Sequence, residues 1–222
     1  MTINTEHELV KELSKKLTTL FNTDIAITEF SAGYGIADLV FAKNFFSKDN
    51  TMEREPIDNY LGVKILLSIS GKSKFTLEDI SQITGVSKIT NINVINYLIS
   101  KNYIKKISRG VYTKTYKLNN PIKKIVAVEA KLKDWKQGIL QARRYKSFTD
   151  ECYLAILSRY EKNIDKNYLD KFGIGLILFN PETGNIIVKR KPQKNYLEVY
   201  KETSSMFAKE LFLHQTMRAK TA

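Results

Sequence analysis

At 222 residues, 43% of them hydrophobic, the chain is long enough for one substantial core and a small second one, with the composition of a globular protein. Its 36 Lys and Arg against 23 Asp and Glu leave a net charge of +13, which points to a polyanionic partner, nucleic acid first. One cysteine and two histidines exclude a disulfide framework and the classical zinc ligand sets, and neither histidine accompanies a nucleophile motif. No phosphate-binding glycine loop occurs, so the remaining chemistry rests on carboxylates and lysines. No apolar run reaches the roughly 20 residues of a membrane span, and no basic stretch followed by an apolar one opens the chain. The expectation is a cytoplasmic protein with no membrane partner, with Cys152 buried and inert.

Thr5 followed by Glu8 is a capping-box pattern, predicting a helix with Leu9, Leu13, Leu17 and Leu20 on one face. Two strands follow, at about Asp24–Ser31 and Gly35–Ala42, joined by a turn through Gly33. Residues 44–56 read as a polar linker. Helices are then expected at Tyr60–Leu67, after the Thr76 cap, and from Lys88 to Ser100 behind the turn Gly85-Val86-Ser87. Tyr103–Ile107 and Val111–Leu118 form a hairpin about Ser108-Arg109-Gly110. After Pro121 the pattern alternates. Strand Lys124–Leu132, helix Asp134–Phe148, strand Cys152–Ser158 and a short helix Asp165–Phe172 lead to paired strands at Gly173–Asn180 and Asn185–Lys191. A last amphipathic helix runs from about Asn195 to Gln215.

Two of these strands carry charge where apolar residues belong. Gly35-Ile36-Ala37-Asp38-Leu39-Val40-Phe41 holds one acid, and Ile125-Val126-Ala127-Val128-Glu129-Ala130-Lys131 holds an acid and a lysine on the same face. Such charges lose solvation and therefore need partners or a function. Two carboxylates from neighbouring strands suit Mg²⁺, a hard ion that keeps several waters, and a lysine beside them can orient or deprotonate a water or offset developing charge.

With these residues the sequence resembles the PD-(D/E)XK nuclease superfamily. The resemblance implies a restriction-endonuclease-like α/β core, a mixed central sheet flanked by helices. It implies that Asp38, Glu129 and Lys131 are catalytic and that Asp38 and Glu129 hold Mg²⁺, or Mn²⁺ as substitute. Gln141 matches a glutamine that faces the active site in many members, with Tyr145 one turn later. Glu8 or Glu12 matches an acid that some members add to the metal from the first helix, although Glu8 equally reads as the closing half of the capping box. The proline that often precedes the first acid is absent before Asp38. Trp135 and Tyr145 read as core, and His7 and His214 as structural.

The three helices and hairpin in the middle resemble a winged helix-turn-helix. The expected layout is a nuclease core in two parts, 1–50 and 119–222, around an inserted domain at 55–118 whose neighbouring ends make it independent of the core. Ile57–Leu118 holds ten Lys and Arg against three acids, a net +7. Lys88, Thr90, Asn91 and Asn93 begin the presumed recognition helix, and Lys105, Lys106, Arg109 and Lys114 line the wing, where they suit phosphate contacts. The expected activity is hydrolysis of phosphodiester bonds in double-stranded DNA, in restriction, recombination or repair. A double-strand cut by a chain with one centre implies a homodimer or two successive nicks. The alternatives are a non-catalytic DNA-binding regulator on the same scaffold and an RNA nuclease.

Overall fold

In the computed structural model, which describes residues 3–49, 54–69, 74–115, 117–193 and 201–221, helix α1 (Glu6–Phe21) starts where the capping box puts it. Thr5 Oγ1 accepts the Glu8 N–H at 3.2 Å, and the Glu8 carboxylate accepts those of Asn4 at 2.8 Å and Thr5 at 3.2 Å. Leu9, Leu13 and Leu17 are buried as expected, but the fourth position of the stripe is Phe21, and Leu20 is 42% exposed. From Leu17 the i+4 step stays on the stripe while i+3 falls at its margin. Strands β1 (Ala26–Ser31) and β2 (Ile36–Lys43) form an antiparallel hairpin turned through Gly33 and Gly35, both at positive φ. A 3-10 turn at Ser47–Asp49 falls within the stretch read as linker.

The middle of the chain builds a separate small unit from α2 (Tyr60–Ser68), β3 (Phe75–Thr76), α3 (Leu77–Thr84), α4 (Lys88–Ser100), β4 (Ile104–Ser108) and β5 (Val111–Lys114). Thr76 and Asp79 close a second capping box on α3, and Gly85 ends that helix in the left-handed conformation at φ 70°. The expected hairpin is present, with a strand added by Phe75–Thr76, so the sheet runs β3-β5-β4. Val63, Leu66, Ile80, Val94, Leu98 and Tyr103 make its core.

The chain then returns to the large sheet with β6 (Lys124–Lys131), α5 (Trp135–Tyr145), β7 (Glu151–Leu157), α6 (Lys166–Phe172), β8 (Gly175–Phe179), β9 (Ile186–Arg190) and α7 (Lys201–Thr221). The expected start of the last helix, near Asn195, lies outside the described residues. Strand order is β1-β2-β6-β7-β8-β9, with β6, β7 and β8 mutually parallel and the other neighbours antiparallel. The result is a mixed α/β sheet. Leu9, Leu13, Leu17 and Phe21 of α1 cover one face, against Val126 and Val128. Ile139 of α5, Leu169 of α6 and Phe212 of α7 cover the other, against Ile125 and Ala127. No described helix is long and apolar enough to cross a membrane.

The inserted unit is tied to the sheet domain through α7. Glu210, fully buried, accepts Arg54 Nη2 at 2.6 Å, Arg54 Nη1 at 2.8 Å, Asn120 Nδ2 at 2.9 Å and the Ile57 N–H at 2.9 Å. One carboxylate therefore holds both ends of the insert. Met206 and Phe207 of the same helix pack into the insert's core. The ends of the insert meet, as expected for an inserted unit, and α7 contacts both units.

Candidate active site

Period-two alternation sorts β6 cleanly. Val126, Val128 and Ala130 face α1, whereas Ile125 and Ala127 face α5, which leaves Glu129 and Lys131 on the α5 side. Leu39 of β2 pairs with Val128, so the next step of the antiparallel ladder brings Asp38 beside Glu129. Asp38 Oδ2 accepts the backbone N–H of Ala130 at 2.8 Å, satisfying a group on β6 beyond the paired residues. Lys131 Nζ lies 3.0 Å from Glu129 Oε1 and 3.1 Å from Glu6 Oε2. The three side chains expected from the sequence converge, with Glu129 only 1% and Lys131 6% exposed.

Helix α5 closes the site from above. Tyr145 Oη lies 2.7 Å from Glu129 Oε2 and 2.6 Å from the Ile36 carbonyl oxygen. A phenol has one proton for these two acceptors, so both contacts are satisfied together when Glu129 itself carries a proton. Gly138, Gln141 and Tyr145 recur at i, i+3 and i+7 and share one face of the helix. A Cβ on Gly138 would sit 2.8 Å from Lys131 Cγ and 2.6 Å from Leu154 Cδ1, so the glycine lets α5 approach the lysine stem. The Gln141 Oε1 atom on that face is buried without a hydrogen-bond partner among the described residues, an orphaned acceptor of the kind a water or ligand satisfies.

Burial raises the Glu129 pKa to about 7, helped by the Asp38 charge and opposed by Tyr145 and Lys131. Burial also raises Asp38, against the Ala130 N–H and Lys131. For Lys131 burial works against the charge, but Glu129 and Glu6 outweigh it and hold its pKa above the usual lysine value. The two acids therefore strain against ionisation while the lysine stays charged. Such a pair suits a hard cation that brings its own waters. Asp38 and Glu129 are the residues that fit one, although no group of three His, Cys, Asp or Glu among the described residues is arranged to hold a metal.

These shifts carry a prediction for stability without metal. The folded Glu129 keeps its proton from pH 4.5, the ordinary value, to about 7, where the unfolded chain has lost it. The stability this supplies is full below the unfolded value and is lost as pH rises through about 7. Asp38 acts in the same direction. Glu151 opposes neither: despite burial, Lys43 and Lys124 hold it low, so it titrates beneath this window. From pH 5 to pH 8 in chelator, wild type is expected to lose about 2–3 kcal/mol more than Glu129→Gln. Urea unfolding at both pH values checks this, and equal losses would assign the effect to another group.

The α1 acid at the site is Glu6. Glu8, one of the two expected, is committed to the capping box, whose hydrogen bonds hold its pKa low, and Glu12 is 3.6 Å from Lys15. Glu6, with His7, Val10, Thr28, Glu29 and Asp38, lines a cavity of about 240 Å³ beside the acids. The only advance sign of Glu6 was its place in the first turn of α1. A larger cavity of about 400 Å³ borders Lys43 and Glu151 at the opposite end of β2, but those charges are paired with each other at 3.0 Å.

The expected nucleic-acid contacts divide. Lys88, Asn93, Lys105, Lys106 and Arg109 are exposed. Thr90 is half-buried, its hydroxyl 2.9 Å from that of Ser87 at the start of α4, and Lys114 is half-buried on β5. Asn91 is corrected outright. It is fully buried, bonded to Thr84 Oγ1 at 2.7 Å, Ser81 Oγ at 3.2 Å and the Val86 carbonyl at 3.2 Å, and it holds the α3–α4 turn together. Trp135 is half-buried and packs edge-on against Tyr168, and His214 lies 3.4 Å from Asp58. Neither a family model nor a curated protein sequence matches this chain.

Proposed function

We propose that this chain is a metal-dependent DNA endonuclease of the PD-(D/E)XK type, with a winged helix-turn-helix formed by α2 to β5 inserted between β2 and β6. The observation that carries the reading is the convergence of Asp38, Glu129 and Lys131 on one face of neighbouring, otherwise apolar strands. Burying Glu129 and Lys131 beside a half-buried Asp38 costs free energy that an apolar trio would not, so a chemical use accounts for them best.

Asp38 and Glu129 would hold Mg²⁺, or Mn²⁺ in its place. That ion supplies a bound water of lowered pKa and a counter-charge for a phosphoryl oxygen. Lys131, kept protonated between Glu129 and Glu6, serves as a donor and positive charge rather than as a proton acceptor. Tyr145 fixes the Glu129 carboxyl, and Gln141 offers its unpartnered oxygen to a water or to substrate. The basic wing binds phosphates and brings DNA to the centre. One chain carries one such centre, so double-strand cleavage takes two copies or two successive nicks.

One observation favours a second reading. Lys131 already pairs with Glu129 at 3.0 Å, as it would in a non-catalytic DNA-binding regulator that kept the scaffold. Incubating purified chain with supercoiled plasmid and with RNA, in Mg²⁺, Mn²⁺ or EDTA, separates the cases. Nicked or linear plasmid in either metal and none in EDTA is expected. Loss of RNA alone would make it an RNA nuclease. Intact plasmid that is nevertheless bound would make it the regulator.

A further inference from the structure

The outward face of α4 has a composition that narrows what it can read. Asn91, Val94, Ile95 and Leu98 are buried, which leaves Ile89, Ile92, Asn93 and Asn96 exposed at i, i+3, i+4 and i+7 on one stripe. Ile89 is 74% and Ile92 39% exposed, flanked by amides rather than by further apolar residues. Its own residues and the segment after it are basic, although Glu78 of α3 lines a pocket with Lys88. Between Asp79 and Glu129 the chain has no carboxylate, Lys88 immediately precedes the stripe, and Lys105, Lys106 and Arg109 of the following hairpin are exposed. That charge favours a polyanion over an apolar protein groove.

Within the major groove each base pair asks for different chemistry. Guanine is read by Arg or Lys, cytosine by an acid, adenine by the paired donor and acceptor of an Asn or Gln amide, and the thymine methyl by apolar contact. Helix α4 has no Arg and no acid, and its only cation is Lys88 in the first turn. Its exposed stripe offers two amides and two branched apolar side chains. At about 1.5 Å rise per residue, Asn93 and Asn96 lie about 4.5 Å apart along the axis, close to one base step.

We infer that α4 reads A·T pairs in the major groove, with Asn93 and Asn96 bonding adenine and Ile89 and Ile92 contacting thymine methyl groups. The inference rests on the proposed DNA-binding role of the insert and adds to it the class of sequence recognised. Phosphate contacts from Lys105, Lys106 and Arg109 contribute affinity without preference.

The test is duplex binding by the full chain in EDTA, measured by fluorescence anisotropy at fixed salt. Sites selected from a random library are compared with G·C-rich duplexes of equal length. A·T-rich sites are expected to bind at least about tenfold more tightly. Replacing adenine with 7-deazaadenine, which lacks the N7 acceptor, should remove most of that preference, and deoxyuridine in place of thymidine part of it. Asn93→Ala with Asn96→Ala should also remove most of the preference and become insensitive to 7-deazaadenine, the remainder being lost with deoxyuridine. Lys105→Ala with Arg109→Ala should weaken all duplexes alike. Equal binding to every duplex, or a preference for G·C, overturns the inference and leaves the DNA-binding reading standing. A preference that survives 7-deazaadenine, deoxyuridine and the asparagine variant together comes from minor-groove shape, and also overturns it. Binding to no duplex, or tighter binding to RNA, removes the DNA-binding reading itself.

Discussion

Lys131→Met is expected to slow cleavage by about a hundred- to a thousandfold at saturating Mg²⁺, the usual loss when one preorganised charge at a reacting centre is removed. Methionine keeps an unbranched stem in the slot left open by Gly138 and Leu154, so the sheet and α5 should stay in place. The variant leaves Glu129 with Tyr145 as its remaining hydrogen-bond partner. A neutral residue at 131 no longer competes with a cation for Glu129, so apparent Mg²⁺ affinity should not fall. Loss of rate without loss of metal binding is the pattern of a group acting on the transition state. Single-turnover cleavage across a Mg²⁺ titration separates the two quantities. If excess Mg²⁺ restores the rate, Lys131 acts only through the metal. A variant that cuts at the wild-type rate would leave the ion pair as a structural feature and remove Lys131 from the catalytic set.

What the sequence disclosed follows the range of the forces involved. The starts of α1, α3 and α4 were readable because capping depends on residues three positions apart, as with Thr5 and Glu8 or Thr76 and Asp79. Glu129 and Lys131 could be assigned one face because strand alternation is equally local. Errors arose where a local pattern permits two uses of one residue. Asn91 sits in the first turn of α4, where an asparagine can face a ligand or tie down a turn, and its burial against Thr84 and Ser81 depends on how α3 crosses. Glu6 and Glu8 share the first turn of α1, and the capping box takes Glu8, leaving Glu6 to meet a lysine 125 positions away. β3 is two residues long and pairs with Tyr112 and Val111, too short for any periodicity to register. Gly138 did leave a trace. A glycine inside a helix costs about 1 kcal/mol relative to alanine, a cost that a close approach to a neighbouring strand explains.

Arg54→Ala is expected to destabilise the protein by about 3–5 kcal/mol, because it strips Glu210 of its main partner while leaving the carboxylate buried. The Arg54 side chain is 7% exposed and that of Glu210 fully buried. Arg54 also donates to the Asn119 carbonyl at 2.7 Å and to Tyr103, whose hydroxyl in turn donates to the Glu55 carbonyl. Burial opposes the charge on Arg54, but Glu210 and Tyr103 more than offset it. Without the arginine, Glu210 retains, among the described residues, the Asn120 amide and the Ile57 N–H, two neutral donors for a carboxylate. Arg54→Lys should recover part of the loss, since one ammonium cannot bond both carboxylate oxygens and the Asn119 carbonyl in the planar geometry of the guanidinium. The double variant Arg54→Ala with Glu210→Ala should cost clearly less than the sum of the single ones, because the second substitution removes the stranded charge. Urea unfolding of the four proteins measures both points. Limited proteolysis adds a test of location. The hub holds both ends of the insert, so early cleavage in Arg54→Ala should fall near residues 54–59 and 117–122, before the sheet domain is cut. An Arg54→Ala cost below about 1 kcal/mol, the range of an exposed pair, would mean that the insert is held chiefly by Met206 and Phe207 in its core and that the buried carboxylate is dispensable.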